Sequence, residues 1–233
     1  FFLIVFGTIF IANGGRPQMP IFTPNMLTQI AYTMILVLSL NLVVGFLGEL
    51  SLGHAGFMYI GAYAGGLFSH FTAEIITSNF LRLLFAMLIG GLVSAIFGFL
   101  VGLPALRLRG DYLAIVTLAF GEIVKSIFQN TSNDTFGGAI GLDTPRYDKT
   151  YFFIIAFVLV LITLAVIQNF IRSKHGRAVT SIRDNEIASR ATGINVTKYK
   201  LLAFTLSATF AGVAGVPYSL SNYTVQSAKF GYN

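Results

Sequence analysis

The stretch LRLLFAMLIGGLVSAIFGFLVGL, residues 81–103, carries a single charge, Arg82, and is long enough to cross a hydrocarbon core of about 30 Å as a helix. Gly90, Ser94, Gly98 and Gly102 recur within it at every fourth position. That spacing places them on one helix face, where small residues let another backbone approach. Pro104 follows and is expected to end the helix. A second small-residue run, Ser207, Ala211 and Gly215, has the same period. Composition carries the reading to the whole chain. Of 233 residues, 55% are hydrophobic and 10% charged, and mean hydropathy is +0.76. Soluble domains carry about 25% charged residues. So few charges could not cover a globular surface in water; the solvent is lipid. With no Trp, the ten Tyr are expected to serve as interfacial anchors.

Further apolar segments lie at 26–47, 54–70, 111–129, 151–171 and 201–220. Loops rich in Gly, Pro or polar residues separate them at 13–25, 71–79 and 130–150. The expected fold class is therefore all-α, a polytopic transmembrane helical bundle forming a single domain over 1–233. The run at 1–12 is too short to span, has no basic segment before it, and the chain does not begin with Met; we read a fragment, incomplete at both ends, rather than a signal peptide. Orientation follows from the basic residues. Residues 172–200 hold seven Lys or Arg against Asp184 and Glu186, the positive-inside signature of a cytoplasmic loop. Arg107 and Arg109 fall on the same side, as does 48–53, while 13–25, 71–79 and 130–150 fall outside. Charge confined to one loop between spans argues against a nucleic-acid partner.

Three places can carry chemistry. Around residues 41–66, Asn41, Glu49, Ser51 and His54 sit among glycines near a membrane boundary. Two readings stand: an irregular, protein-shielded segment acting as a hinge or gate, or a solvated turn in the headgroups. Glu122 falls near mid-bilayer with Lys125 three residues on; it either lines a pathway or forms a structural ion pair. Asp111, after Gly110, suits a helix start. The third place is the loop HGRAVTSIRDNEIASRATGINVTKYK at 175–200. It reads as one short helix: Ser181 and Asp184 spaced as a capping pair, Glu186 and Arg190 as an i,i+4 ion pair, Gly193 as the stop. Lys198 and Lys200 read as markers of the membrane boundary. Ile187, Ala188 and Ala191 make a small apolar stripe. So short a helix is marginal alone, and small residues suit a protein partner better than a lipid surface. There is no Cys, no phosphate-cradling glycine loop, no HExxH and no GxSxG, and His54, His70 and His175 are scattered. No cofactor, metal or catalytic residue is expected on this chain.

The strings LSLNLVVGFLGELSLGHAGFMYIGAY, RGDYLAIVTLAFGEIV and GRAVTSIRDNEIASRATGINVTKYKLLAFTLSATFAGVAGVPYSL closely resemble the permease subunits of branched-chain amino-acid ABC importers, the LivM type rather than its LivH-type partner. The resemblance covers about residues 27–221. It implies a five-part machine in a prokaryotic cytoplasmic membrane: this chain, a second permease subunit (LivH-like), two cytoplasmic ATPase subunits that hold ATP and Mg, and an extracytoplasmic substrate-binding protein, all set in membrane lipid. It also implies that Arg183, Asp184, Glu186, Ile187, Ala188, Arg190, Ala191 and Gly193 form the coupling helix that seats on an ATPase, and that transport runs by alternating access. A permease of the same superfamily for urea, short amides or another small solute is the alternative; a secondary transporter leaves the cytoplasmic helix without a purpose.

Overall fold

The computed structural model describes residues 22–73, 75, 78–106, 108, 110–131, 142–144, 149–222 and 224–225. The run at 1–12, most of the loop at 13–25, the arginines at 107 and 109 and two thirds of the loop at 130–150 lie outside them. Element α1 spans Phe22–Asn41 and passes into a π-helical turn, Leu42–Leu47. Then come α2, His54–Phe71; α3, Asn79–Ala105; α4, Asp111–Gln129; α5, Lys149–Arg172; two short helices, α6, Lys174–Asp184, and α7, Glu186–Ala191; and α8, Val196–Asn222. A two-residue ladder pairs β1, Leu142–Asp143, antiparallel with β2, Thr224–Val225.

Five of these helices are long and apolar enough to cross a membrane. α2 is the sixth long helix and falls short of that group because of its glycines, tyrosines and two histidines. The physical reason is its position: protein rather than lipid surrounds it, and twelve of its eighteen residues are buried. It packs between α3 and α8, and α8 also packs on α1. α4 and α5 lie at the periphery, with 22% of the apolar window of each buried against 61% for α8.

The face periodicity of α3 follows from lipid as solvent. Leu84, Leu88, Leu92, Ile96 and Leu100 point outward, each at least 45% exposed. Gly90, Ser94, Gly98 and Gly102 are buried, as the four-residue spacing predicts. Ser94 Oγ lies 2.8 Å from Ala208 O on α8 and 3.1 Å from Phe57 O on α2. Its single proton bridges three helices, a bond worth roughly 0.6 kcal/mol within a membrane. Arg82, the lone charge of the stretch, bonds Asn79 Oδ1 at 2.9 Å and Ala73 O at 3.3 Å at the start of α3.

Three sequence expectations need correction. Pro104 does not stop α3, which runs to Ala105; a proline in the last turn removes one N–H and leaves the helix otherwise intact. α8 begins at Val196 rather than 201. Tyr32, Tyr59, Tyr63 and Tyr218 are core residues rather than interfacial anchors, with Tyr59 and Tyr63 ring centroids 4.8 Å apart.

Candidate functional site at the basic end of the bundle

At one end of the bundle Thr144 Oγ1 donates to Ser219 O at 3.0 Å beside the β ladder. At the other end Leu47, Leu106, Leu113, Val179 and Phe204 share one core. The segment after α1, the start of α4 and α6 are thus side by side, as the basic-residue reading of orientation requires.

Two capped helices stand where the spacing predicted one. Ser173 opens α6, its hydroxyl accepting from the N–H groups of His175 (3.2 Å) and Gly176 (3.3 Å). Ala178, Val179 and Ile182 turn toward the bundle and are buried. Asn185 ends α6 and caps α7, its Oδ1 accepting from Ala188 N at 3.0 Å. An Asn cap is worth about 1 kcal/mol. The expected capping pair does not exist: Ser181 lies inside α6 and donates to Ala178 O, and Asp184 pairs with its neighbour Arg183 at 3.1 Å. Gly193 is the stop. At φ +87° it takes the left-handed conformation, with Gly193 N–H bonded to Arg190 O and Ile194 N–H to Ser189 O. Glu186 and Arg190 make the expected ion pair at 2.8 Å.

α7 divides its residues between two faces. Ser189 turns inward and is 3.2 Å from Ser181 Oγ. Ile187 is 77% exposed, and Ala188 and Ala191 are exposed with it. The apolar stripe therefore points away from the chain's own core.

Beneath α7 lies an arrangement that sequence spacing did not show. Lys200, expected at the membrane boundary, is 4% exposed. Its ammonium is shared by the carboxylates of Glu49 and Glu186, the latter at 3.1 Å. Arg190 completes the cluster, so two cations and two carboxylates balance. Arg183 makes a second tie, its guanidinium donating to Gly45 O at 3.0 Å in the π-helical turn, while its aliphatic stem covers Gly48, itself at φ +78°. α6 and α7 are thereby fastened to the inner end of α1.

The segment 48–54 is mixed, with Ser51, Gly53 and His54 buried and Gly48, Leu50 and Leu52 exposed. Leu52 N–H bonds Thr117 Oγ1 on α4 at 3.0 Å. Ser39 Oγ lies 2.8 Å from Leu36 O and 2.8 Å from His54 Nε2. Ser207 Oγ donates to Ser39 O, completing a polar chain across α2, α1 and α8. Asn41 is exposed at the end of α1, apart from that chain. Glu122 is separate again: on α4, its carboxylate half exposed, 3.5 Å from Lys125 Nζ. Glu49, Ser51 and His54 thus share one region with Arg183 and Glu186, whereas Glu122 does not. The side chain of Asp111 lies outside the described residues. Among the described residues no group of three or more His, Cys, Asp or Glu could hold a metal ion.

Residues 22–233 match the family described as the branched-chain amino acid transport system permease component. The chain is 38% identical over 228 residues to the high-affinity branched-chain amino acid transport system permease protein LivM of Salmonella typhimurium, covering 84% of this chain and 52% of that protein. It is 37% identical to the corresponding LivM protein of Escherichia coli, over 89% of this chain and 55% of that one. A guanosine ABC transporter permease protein of Bacillus subtilis, NupQ, is 30% identical over 74% of this chain and 59% of its own length. The chain thus spans little more than half the length of these relatives. No solved structure matches it.

Proposed function

Because the chain belongs to the branched-chain amino acid transport permease family, we propose that it is the LivM-type membrane subunit of an ATP-driven importer of branched-chain amino acids. It is a multi-pass protein of a prokaryotic plasma membrane. In this reading a LivH-like permease completes the path, two cytoplasmic ATPases bind and hydrolyse ATP, and an extracytoplasmic protein delivers the amino acid. The chain itself does no bond chemistry. Its work is to convert movement at its cytoplasmic face into repacking of its spans.

The observation that carries this reading is the apolar stripe of α7. Ile187, Ala188 and Ala191 are exposed on a short helix that lies between two long apolar helices in the chain, is capped at both ends and is held by ion pairs. Burying an Ile side chain is worth about 1.5–3 kcal/mol, and Ile187 at 77% exposure still holds most of that gain for a partner. Small residues beside it admit close approach of a protein groove. Alternating access then needs only that the ATPases hold α7 differently in their ATP-bound and ATP-free forms, since an equilibrium shifts by differential affinity alone.

The test is reconstitution of the full-length subunit with its second permease, ATPases and binding protein in lipid vesicles. ATP-dependent uptake of leucine, not competed by guanosine, is expected. Preferential uptake of a nucleoside transfers the chain to the class of its guanosine-permease relative. Uptake driven by an ion gradient without ATPases overturns the importer reading altogether.

A further inference from the structure

We propose that Lys200 is the positioning residue through which movement of α7 reaches the inner end of α1, by way of its shared ion pairs with Glu186 and Glu49. This rests on the reading that α7 seats on an ATPase, and adds the route by which that seat acts on the membrane helices.

Three observations converge on it. First, Lys200 is buried near the start of α8, yet its ammonium joins segments 151 and 14 residues away along the chain. α8 packs against α1, α2 and α3, so its inner end is the natural relay to all three. Second, each carboxylate stands on a different moving part. Glu186 opens α7 and also holds Arg190. Glu49 follows the π-helical turn, and its own N–H bonds back to Val43 O at 3.2 Å within that turn. Third, the receiving element has a built-in alternative. A π-helical turn is a helix carrying a widened loop of backbone, which can tighten toward α geometry, and such turns cluster at functional sites. Here Gly45 and Gly48 soften it.

The charges explain why a lysine is needed. Glu49 and Glu186 face the same small space, their side chains 12% and 22% exposed, and would repel one another without a cation between them. With Lys200 in place, pulling α7 pulls Glu49. Arg183 makes the other polar side-chain tie from α6–α7 to the π-helical turn, and its side chain is 42% exposed, so solvent weakens it, while Val179 on α6 shares an apolar core with Val43 and Leu47 of that turn.

The experiment uses the full-length complex in vesicles and reads two quantities: ATPase recovered with the permease, and uptake per ATP hydrolysed in the assembled fraction. Lys200→Met is expected to keep the ATPases bound while uptake per ATP falls at least about fivefold. Lys200→Arg, which can still bridge two carboxylates, is expected to restore the ratio. Glu49→Ala cuts only the connection to α1 and leaves Lys200 paired with Glu186, so it carries the test if Lys200→Met fails to insert. The double variant Glu49→Ala/Lys200→Met should be no worse than the poorer single one, as for two residues in one chain of transmission. A lower yield of complex with an unchanged ratio for Lys200→Met or Glu49→Ala makes the cluster a structural ion pair and overturns the proposal. Failure of the wild-type complex to retain ATPases overturns the underlying reading instead.

Discussion

Gly61→Ala places one methyl at a tight backbone crossing in the bundle. An added Cβ at Gly61 would lie 2.6 Å from the carbonyl carbon of Gly212 on α8, and nearer still to its Cα and oxygen. The third helix is also close, since a Cβ at Gly90 of α3 would lie 2.8 Å from Gly61 O. No side chain can swing aside, because the obstacles are backbone; α2 and α8 must separate instead. Overpacking costs about 1–3 kcal/mol, and an obstacle made of backbone puts this case in the upper part of that range, about 2–3 kcal/mol, offset by about 1 kcal/mol for the better helix propensity of Ala. The net loss is roughly 1–2 kcal/mol, and at about 2–4 °C per kcal/mol the midpoint should fall by several degrees. Gly121→Ala is the control. There the nearest atom, Gly53 Cα, is 3.6 Å from the added Cβ, an ordinary contact, so only the propensity gain of about 0.5–1 kcal/mol remains. Thermal unfolding of the detergent-solubilised subunit, followed by the loss of its monodisperse chromatographic peak, measures both. Gly61→Ala melting at or above wild type would refute the claim that backbone contact among α2, α3 and α8 sets the packing.

Two further outcomes follow from the geometry. Gly193→Val should lower stability of the α6–α7 unit by about 1–2 kcal/mol and reduce recovery of ATPase with the complex, whereas Gly193→Asn, tolerant of φ +87°, should do neither; no atom lies within 4 Å of an added Cβ, so equal damage from both variants means that backbone conformation is not the cause. Glu122→Gln should leave assembly intact, because an ion pair with a half-exposed carboxylate is worth at most about 1 kcal/mol, and slow uptake if the carboxylate faces the path; lost assembly with a normal rate per complex assigns it to structure.

What the sequence made legible, and what it hid, divides along one physical line. Features set by neighbours along the chain were readable: the bounds of α4, the Glu186–Arg190 pair, the stop at Gly193, and the small face of α3. Features set by distant partners were not. Lys200 has the spacing of a boundary lysine, and nothing within ten residues shows that Glu49, 151 residues away along the chain, awaits its ammonium. Asn185 was passed over as a cap because the expected helix ran through it; the polar run Arg183-Asp184-Asn185-Glu186 was the available signal for a break. α2 shows a further limit. Its histidines and glycines lower its hydropathy, and only the surrounding helices reveal that this belongs to the most enclosed span rather than to a weak one.

The central claim is that α7 seats on an ATPase subunit, and the chain lends itself to a direct measurement because it has no cysteine. Ile187→Cys places a single thiol on the exposed stripe, and Ile123→Cys places one on the exposed face of α4, near the middle of that span. In the full-length complex, a short thiol-to-amine crosslinker should join position 187 to an ATPase subunit, with a yield that changes when ATP is added, and should leave position 123 unjoined to it. If position 187 instead reacts with a lipid-soluble thiol probe and yields no ATPase crosslink with or without ATP, α7 lies on the membrane surface and the account fails.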